Sequence, residues 1–144
     1  MNPQELKGRL TAHAVRCITF CVELRKKPEA RDLADQLSAL ATSTAASYRS
    51  ACRARSHREC VSKMGTALED ADESVGWLEI IVRSGLADTE RAVALRHEAS
   101  EVLAILAAAR RRAARKTGRR KLSACLNTRA SAARDRTDTK CGRR

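Results

Sequence analysis

His13, Cys17 and Cys21 follow one another at four-residue intervals, a spacing that stacks an imidazole and two thiols on a single helical face. Nitrogen and sulfur ligands so placed suit zinc or another soft metal. The same stripe carries Leu10 and Leu24, and unpaired cysteine is among the most buried residue types, so the spacing is read as core packing. His57 and Cys60 form a second nitrogen–sulfur pair across a helix start, and they would complete a ligand set only if the two regions met. Carboxylates cluster at Glu69, Asp70, Asp72 and Glu73, with Glu79, Glu98 and Glu101 further along. A di-iron bundle requires Glu-x-x-His on two helices, whereas Ala94 stands three residues before His97 and Leu10 three before His13. These acids are instead expected to pair with Arg49, Arg53, Arg91 and Arg96, within a bundle or across a subunit contact. No GxxxxGK[ST] loop, GxGxxG turn or HExxH helix occurs, and no serine is singled out by a histidine and a carboxylate at useful spacing. The residues point away from an enzyme and imply neither a metal nor a cofactor.

Chemistry of another kind is concentrated in residues 107–121, AAARRRAARKTGRRK, which hold eight cations and no acid. The chain carries a formal net charge of +12, yet its first 109 residues contain fifteen Lys or Arg against fifteen Asp or Glu. The whole excess therefore lies in the last quarter. A neutral body with a basic extension predicts a local attachment site for a polyanion, not a uniformly basic coat. On a helix, Arg110, Arg111, Arg112, Arg115 and Lys116 would surround most of the circumference, and Arg119, Arg120 and Lys121 follow them. Such a cluster neutralises phosphates without reading bases, so binding to RNA or another nucleic acid should weaken steeply with salt. The competing reading is a solvated helix end whose cations suit the dipole and aid solubility.

The elements that would position these residues follow from composition and period. The 144 residues suit one domain, only two are proline, and three aromatics, Phe20, Tyr48 and Trp77, leave an aliphatic core. Residues 4–27 carry Leu10, Ala14, Cys17, Cys21 and Leu24 at helical spacing and end before Pro28. Residues 30–55 carry Leu33, Leu37, Leu40, Thr44, Tyr48 and Ala51 around the small-residue run ATSTAAS, which would let two backbones approach closely. Ser56 and Glu59 form a capping-box signature, and Val61, Met64, Leu68, Ala71, Val75, Leu78 and Val82 then lead to Gly85 as a C-cap. A fourth segment opens at Asp88 and places Ala92, Leu95, Ala99, Val102, Leu106 and Ala109 on one face before a stop near Gly118. Four such helices with short connections make an all-α, antiparallel up-down-up-down four-helix bundle over residues 1–116, with a mobile basic tail over 117–144 that has room for one short helix. The six cysteines include no CxxC pair, the opening MNPQELKGRLTAH lacks the form of a signal peptide, and no run of apolar residues is long enough to span a membrane. Free thiols in a reducing cytoplasm are the expectation.

Residues 10–116 resemble the bacterial 23S ribosomal RNA intervening-sequence proteins, to which the accessory variability proteins of diversity-generating retroelements are similar. The resemblance is carried by SALATSTAASYRSACRARS, residues 38–56, and by SKMGTALEDADESVGWLEIIVRSGL, residues 62–86. The first is similar to the family's small-residue helix ending in serine. The second resembles its helix with an acidic run, a Leu-Glu pair and a final Gly-Leu. The plainer first helix LTAHAVRCITFCVEL, and small residues at 42–47 where the family commonly has asparagine and glutamate, mark a divergent branch. The resemblance implies a homopentamer with no enzymatic activity, and for the retroelement relatives a basic surface that binds a reverse transcriptase and its RNA. Trp77 lies one position before the core residue Leu78, so Trp77 and Ile81 are expected to form an apolar seam between subunits, the alternative being packing at the edge of the core. Two functions follow as alternatives: an oligomeric accessory protein that binds RNA through its basic helix end, or a purely structural interaction bundle docking through its acidic third helix.

Overall fold

A computed structural model describes the backbone of residues 1–138 and the side chains of residues 1–115. Helix α1 spans Pro3–Leu24, a short 3-10 turn Pro28–Ala30 follows, and α2 (Arg31–Cys52), α3 (His57–Ser84) and α4 (Thr89–Asp138) complete the chain. Successive helices pack against each other and α4 returns to α1, which is the up-down-up-down bundle.

Local chemistry sets the ends. The Asn2 side chain accepts hydrogen bonds from the Gln4 and Glu5 N–H groups while the Glu5 carboxylate takes the Asn2 N–H, a complete capping box. Helix α1 stops at Leu24, three residues before the predicted end, because Lys27 before Pro28 is held in the extended region at φ −96°. At α3 the Ser56 hydroxyl accepts from the Glu59 N–H at 3.1 Å, while the Glu59 carboxylate reaches the Arg55 N–H at 2.9 Å. Gly85 closes α3 at φ +66°, a conformation open to glycine without steric cost. Asp88 then caps α4, its carboxylate accepting the Arg91 N–H at 2.9 Å.

Helix α4 differs most from expectation. The predicted stop near Gly118 is absent, and the helix continues to Asp138. A glycine in a helix interior costs only about 1 kcal/mol relative to alanine, and Arg, Lys, Ala and Leu on either side all favour the helix. The imidazole Nε2 of His57, the first residue of α3, lies 2.8 Å from the Ala113 carbonyl. Beyond that level α3 has no residues left to cover α4, so the helix runs on past the bundle. Residues 139–144 of the predicted tail lie outside the described residues.

The core has two apolar halves. One gathers Cys17, Cys21, Leu37, Leu78, Ile81 and Leu95, the other Leu6, Leu10, Tyr48, Met64, Val102 and Leu106. Between them His13, Thr44 and Ser74, from three different helices, border a void of about 10 Å³. Small residues are prominent among the buried positions, with Ala34 and Ala41 on α2 and Gly65, Ala67 and Ala71 on α3. The larger Leu33, Val75 and Val82, predicted to lie on the central stripe, flank it half-buried. This shift of about one residue turns Ile81 inward.

Candidate nucleic-acid interface

The basic end of α4 sets Arg110 and Arg112 against different neighbours. Arg110, Arg111, Arg112 and Arg115 are all exposed. Arg110 lies across α3, its Nε 3.5 Å from the position a β-carbon would take on the buried Gly65. Arg112 turns the other way and lines a pocket of about 680 Å³ at the end of the bundle. The side chains of Lys116, Arg119, Arg120 and Lys121 lie outside the described residues, although the helical backbone carries all four positions.

What separates these arginines from the rest is that they cluster in a stretch, residues 107–121, that contains no acid. In the bundle body Arg9 pairs with Glu101, Arg16 with Glu98, Arg25 with Asp35, Lys63 with Glu59, and Arg83 and Arg96 with Glu79. Among the described residues no carboxylate pairs with Arg110, Arg111, Arg112 or Arg115. Their charge is uncompensated and faces solvent, where it attracts polyanions over roughly a Debye length.

Other sequence-predicted positions are placed as follows. His13, Cys17 and Cys21 are buried as core, with the Cys17 sulfur 3.5 Å from His13 Nε2. Burial pushes the Cys17 thiol up to about 12 and the Cys21 thiol up to about 11, so neither supplies a thiolate near neutrality. Burial likewise lowers the His13 pKa, although Glu98 Oε2 stands 3.4 Å from Nδ1. That contact lacks hydrogen-bond geometry, and Nδ1 is left without a donor or acceptor partner. The hydrogen bond from Arg16 holds the Glu98 carboxyl below the usual carboxylate range. Among the described residues no three His, Cys, Asp or Glu side chains converge as a metal site.

Of the arginines expected to meet acids, Arg96 reaches Glu79 at 3.4 Å. Arg49 instead donates to the Thr11 hydroxyl at 2.9 Å, and Arg91 stacks 6.0 Å from the Phe20 ring centre. The pairs Arg9–Glu101 and Arg16–Glu98, which tie α1 to α4, were not foreseen. They join residues more than eighty positions apart, and no local spacing announces them.

Trp77 is half-buried on α3. Ile81 corrects the sequence reading: it is fully buried inside its own subunit and offers no surface to a neighbour. The exposed aliphatic on that face is Ile80, at 49% exposure. Helix α1 shows a second exposed aliphatic row, Val15, Ile18 and Val22. The repeat of three and four residues that marks this row also marks a core stripe, and only the tertiary structure separates the two. No described helix is long and apolar enough to cross a membrane.

A search of curated proteins gives no match. Among solved structures, the fold is similar to a crystal structure of a protein of unknown function from the S23 ribosomal protein family of Bacteroides thetaiotaomicron VPI-5482. The two are 23% identical with a TM-score of 0.72, and the match covers 77% of this chain and 99% of the other. The sequence profile of the 23S rRNA-intervening sequence protein family matches residues 9–108, all four helices of the bundle. The chain therefore belongs to the 23S rRNA-intervening sequence protein family.

Proposed function

We propose that this protein is a non-enzymatic, self-associating accessory protein of the cytoplasm that holds RNA, free or within a reverse-transcriptase ribonucleoprotein, on the basic stretch of α4. The observation that carries this reading is the concentration of charge: residues 107–121 hold eight cations and no acid, and Arg110, Arg111, Arg112 and Arg115 are exposed and meet no carboxylate among the described residues. The family's name associates it with ribosomal RNA, and the net charge of +12 arises wholly beyond Ala109.

Self-association draws support from the two exposed aliphatic faces. Helix α1 presents Val15, Ile18 and Val22, and α3 presents Ile80 beside Trp77. Two chemically different apolar faces on one subunit favour head-to-tail contacts, which close into a ring when the rotation allows. A homopentamer, implied by the family resemblance, is such a ring, and it would present the basic helix five times.

The test is RNA affinity against salt for the wild type and for the double variant Arg111→Gln, Arg115→Gln. Each phosphate contact contributes roughly 0.7 to 0.9 to the slope of log K against log salt, so the variant should bind more weakly and lose about 1.5 from its slope. An unchanged slope would place the RNA elsewhere. The rival, an interaction bundle without RNA, is favoured by one feature: Glu69, Asp72 and Glu73 are exposed on α3, with no ion-pair partner among the described residues. It predicts no RNA complex at any salt.

A further inference from the structure

At the end of the bundle where α4 runs on alone, the start of α1, the α2–α3 connection and α4 enclose an open pocket of about 680 Å³. Its floor is aliphatic, from Leu6, Ala51, Met64, Ile105 and Ala109, and Arg55 and Arg112 stand among its lining residues. Among the described residues no aspartate or glutamate lines it. Its lining polar groups include the Tyr48 hydroxyl, whose pKa burial pushes up to about 12, and the thiol of Cys60, which burial also raises. The contact of His57 with the Ala113 carbonyl fixes the wall between α3 and α4. An apolar interior with a cationic margin suits a flat apolar body attached to an anion, and the volume falls in the range of ligand sites, about 300–1,000 Å³.

We propose that this pocket receives an unpaired base of the RNA whose phosphates the neighbouring α4 arginines hold. The inference rests on the RNA reading above and adds the class of RNA, a single-stranded or looped segment. The arginine-rich helix by itself reads no sequence and would favour a duplex, where phosphates are densest. In A-form duplexes the base edges of the major groove lie out of reach, and base-specific recognition works on unstacked bases seated against protein side chains. Arg112 belongs both to the basic stretch and to the pocket wall, so a phosphate bound there places the adjoining base at the pocket mouth.

The experiment uses the full chain with two RNAs of equal phosphate number, one single-stranded and one fully paired. The wild type should bind the single strand about tenfold tighter, the contribution of roughly one seated base. Filling the pocket with Ala109→Trp should abolish that preference while leaving the salt dependence intact. In parallel, a single strand carrying 4-thiouridine is photocrosslinked to the wild type, and adducts are expected on peptides containing Tyr48, Cys52 or Cys60. Equal binding of both RNAs, with adducts confined to the α4 arginine stretch, would overturn the pocket and leave the RNA reading standing. Failure to bind either RNA would overturn both. Protection of Cys60 from alkylation by a fatty acid but not by RNA would identify a lipid site and refute this proposal.

Discussion

The buried imidazole of His13 should make the bundle sensitive to mild acid. In the folded protein burial outweighs the nearby Glu98 carboxylate, and the His13 pKa lies below its ordinary value of 6.5. The unfolded chain therefore takes up a proton below pH 6.5 that the folded chain refuses, and stability falls with pH. If the folded imidazole stays neutral down to pH 5, the loss between pH 7.5 and pH 5 reaches at most about 2 kcal/mol. For a chain of this size that is about 7 °C in Tm. Glu98, whose folded pKa is also lowered, adds a loss of the same sign at still lower pH. The assay is urea unfolding followed by helical circular dichroism at both pH values, for the wild type and for His13→Leu. The variant should show little of this drop, because Leu fills a similar space beside the small void among His13, Thr44 and Ser74. A wild type as stable at pH 5 as at pH 7.5 would show that the Glu98 contact prevails over burial, and the reasoning would fail.

Thiol accessibility should follow the fold: Cys52 is exposed, Cys60 half-buried, and Cys17 and Cys21 are buried with raised pKa values. Among these four thiols, iodoacetamide labelling mapped by mass spectrometry should modify Cys52 first and Cys60 more slowly, and should reach Cys17 and Cys21 only in denaturant; early labelling of Cys17 would contradict the core assignment. Gly76 sits in the middle of α3, and a methyl group added there would meet nothing within 4 Å, so Gly76→Ala should stabilise by about 1 kcal/mol through helix propensity, read as a higher urea midpoint. A lower midpoint would mean that a neighbouring subunit occupies that space. For the ring, Ile18→Glu and Trp77→Ala should each reduce the solution mass, and an equimolar mixture of the two should form a dimer through the one intact pair of faces. Unaltered masses for both variants would remove the head-to-tail assembly.

Much of this was legible from local signals. Pro28, the Ser56–Glu59 pair, Gly85 and Asp88 mark helix ends by chemistry that acts within four residues, and the structure uses each of them. The face of each helix was harder to read. Periodicity weights large aliphatics, whereas Ala34, Ala41, Ala67 and Ala71 are buried here and Leu33 and Val75 stand half-buried at the flanks. That rotation is why Ile81 was expected at a seam and lies in the core. The α1–α4 ion pairs and the pocket around Tyr48 join residues far apart in sequence, and no local pattern encodes them. Gly118 misled for the opposite reason, since one glycine is too weak a signal to stop a helix of Ala, Arg and Lys.

The central claim, a self-associating protein that holds RNA on an unpaired arginine cluster, is tested most directly by light-scattering mass with and without a structured RNA containing a single-stranded loop, at low and high salt. The account predicts an oligomer, pentameric on the family resemblance, whose RNA complex forms at low salt and dissociates as salt rises while the protein assembly persists. A monomer whose mass is unchanged by RNA at low salt would contradict it.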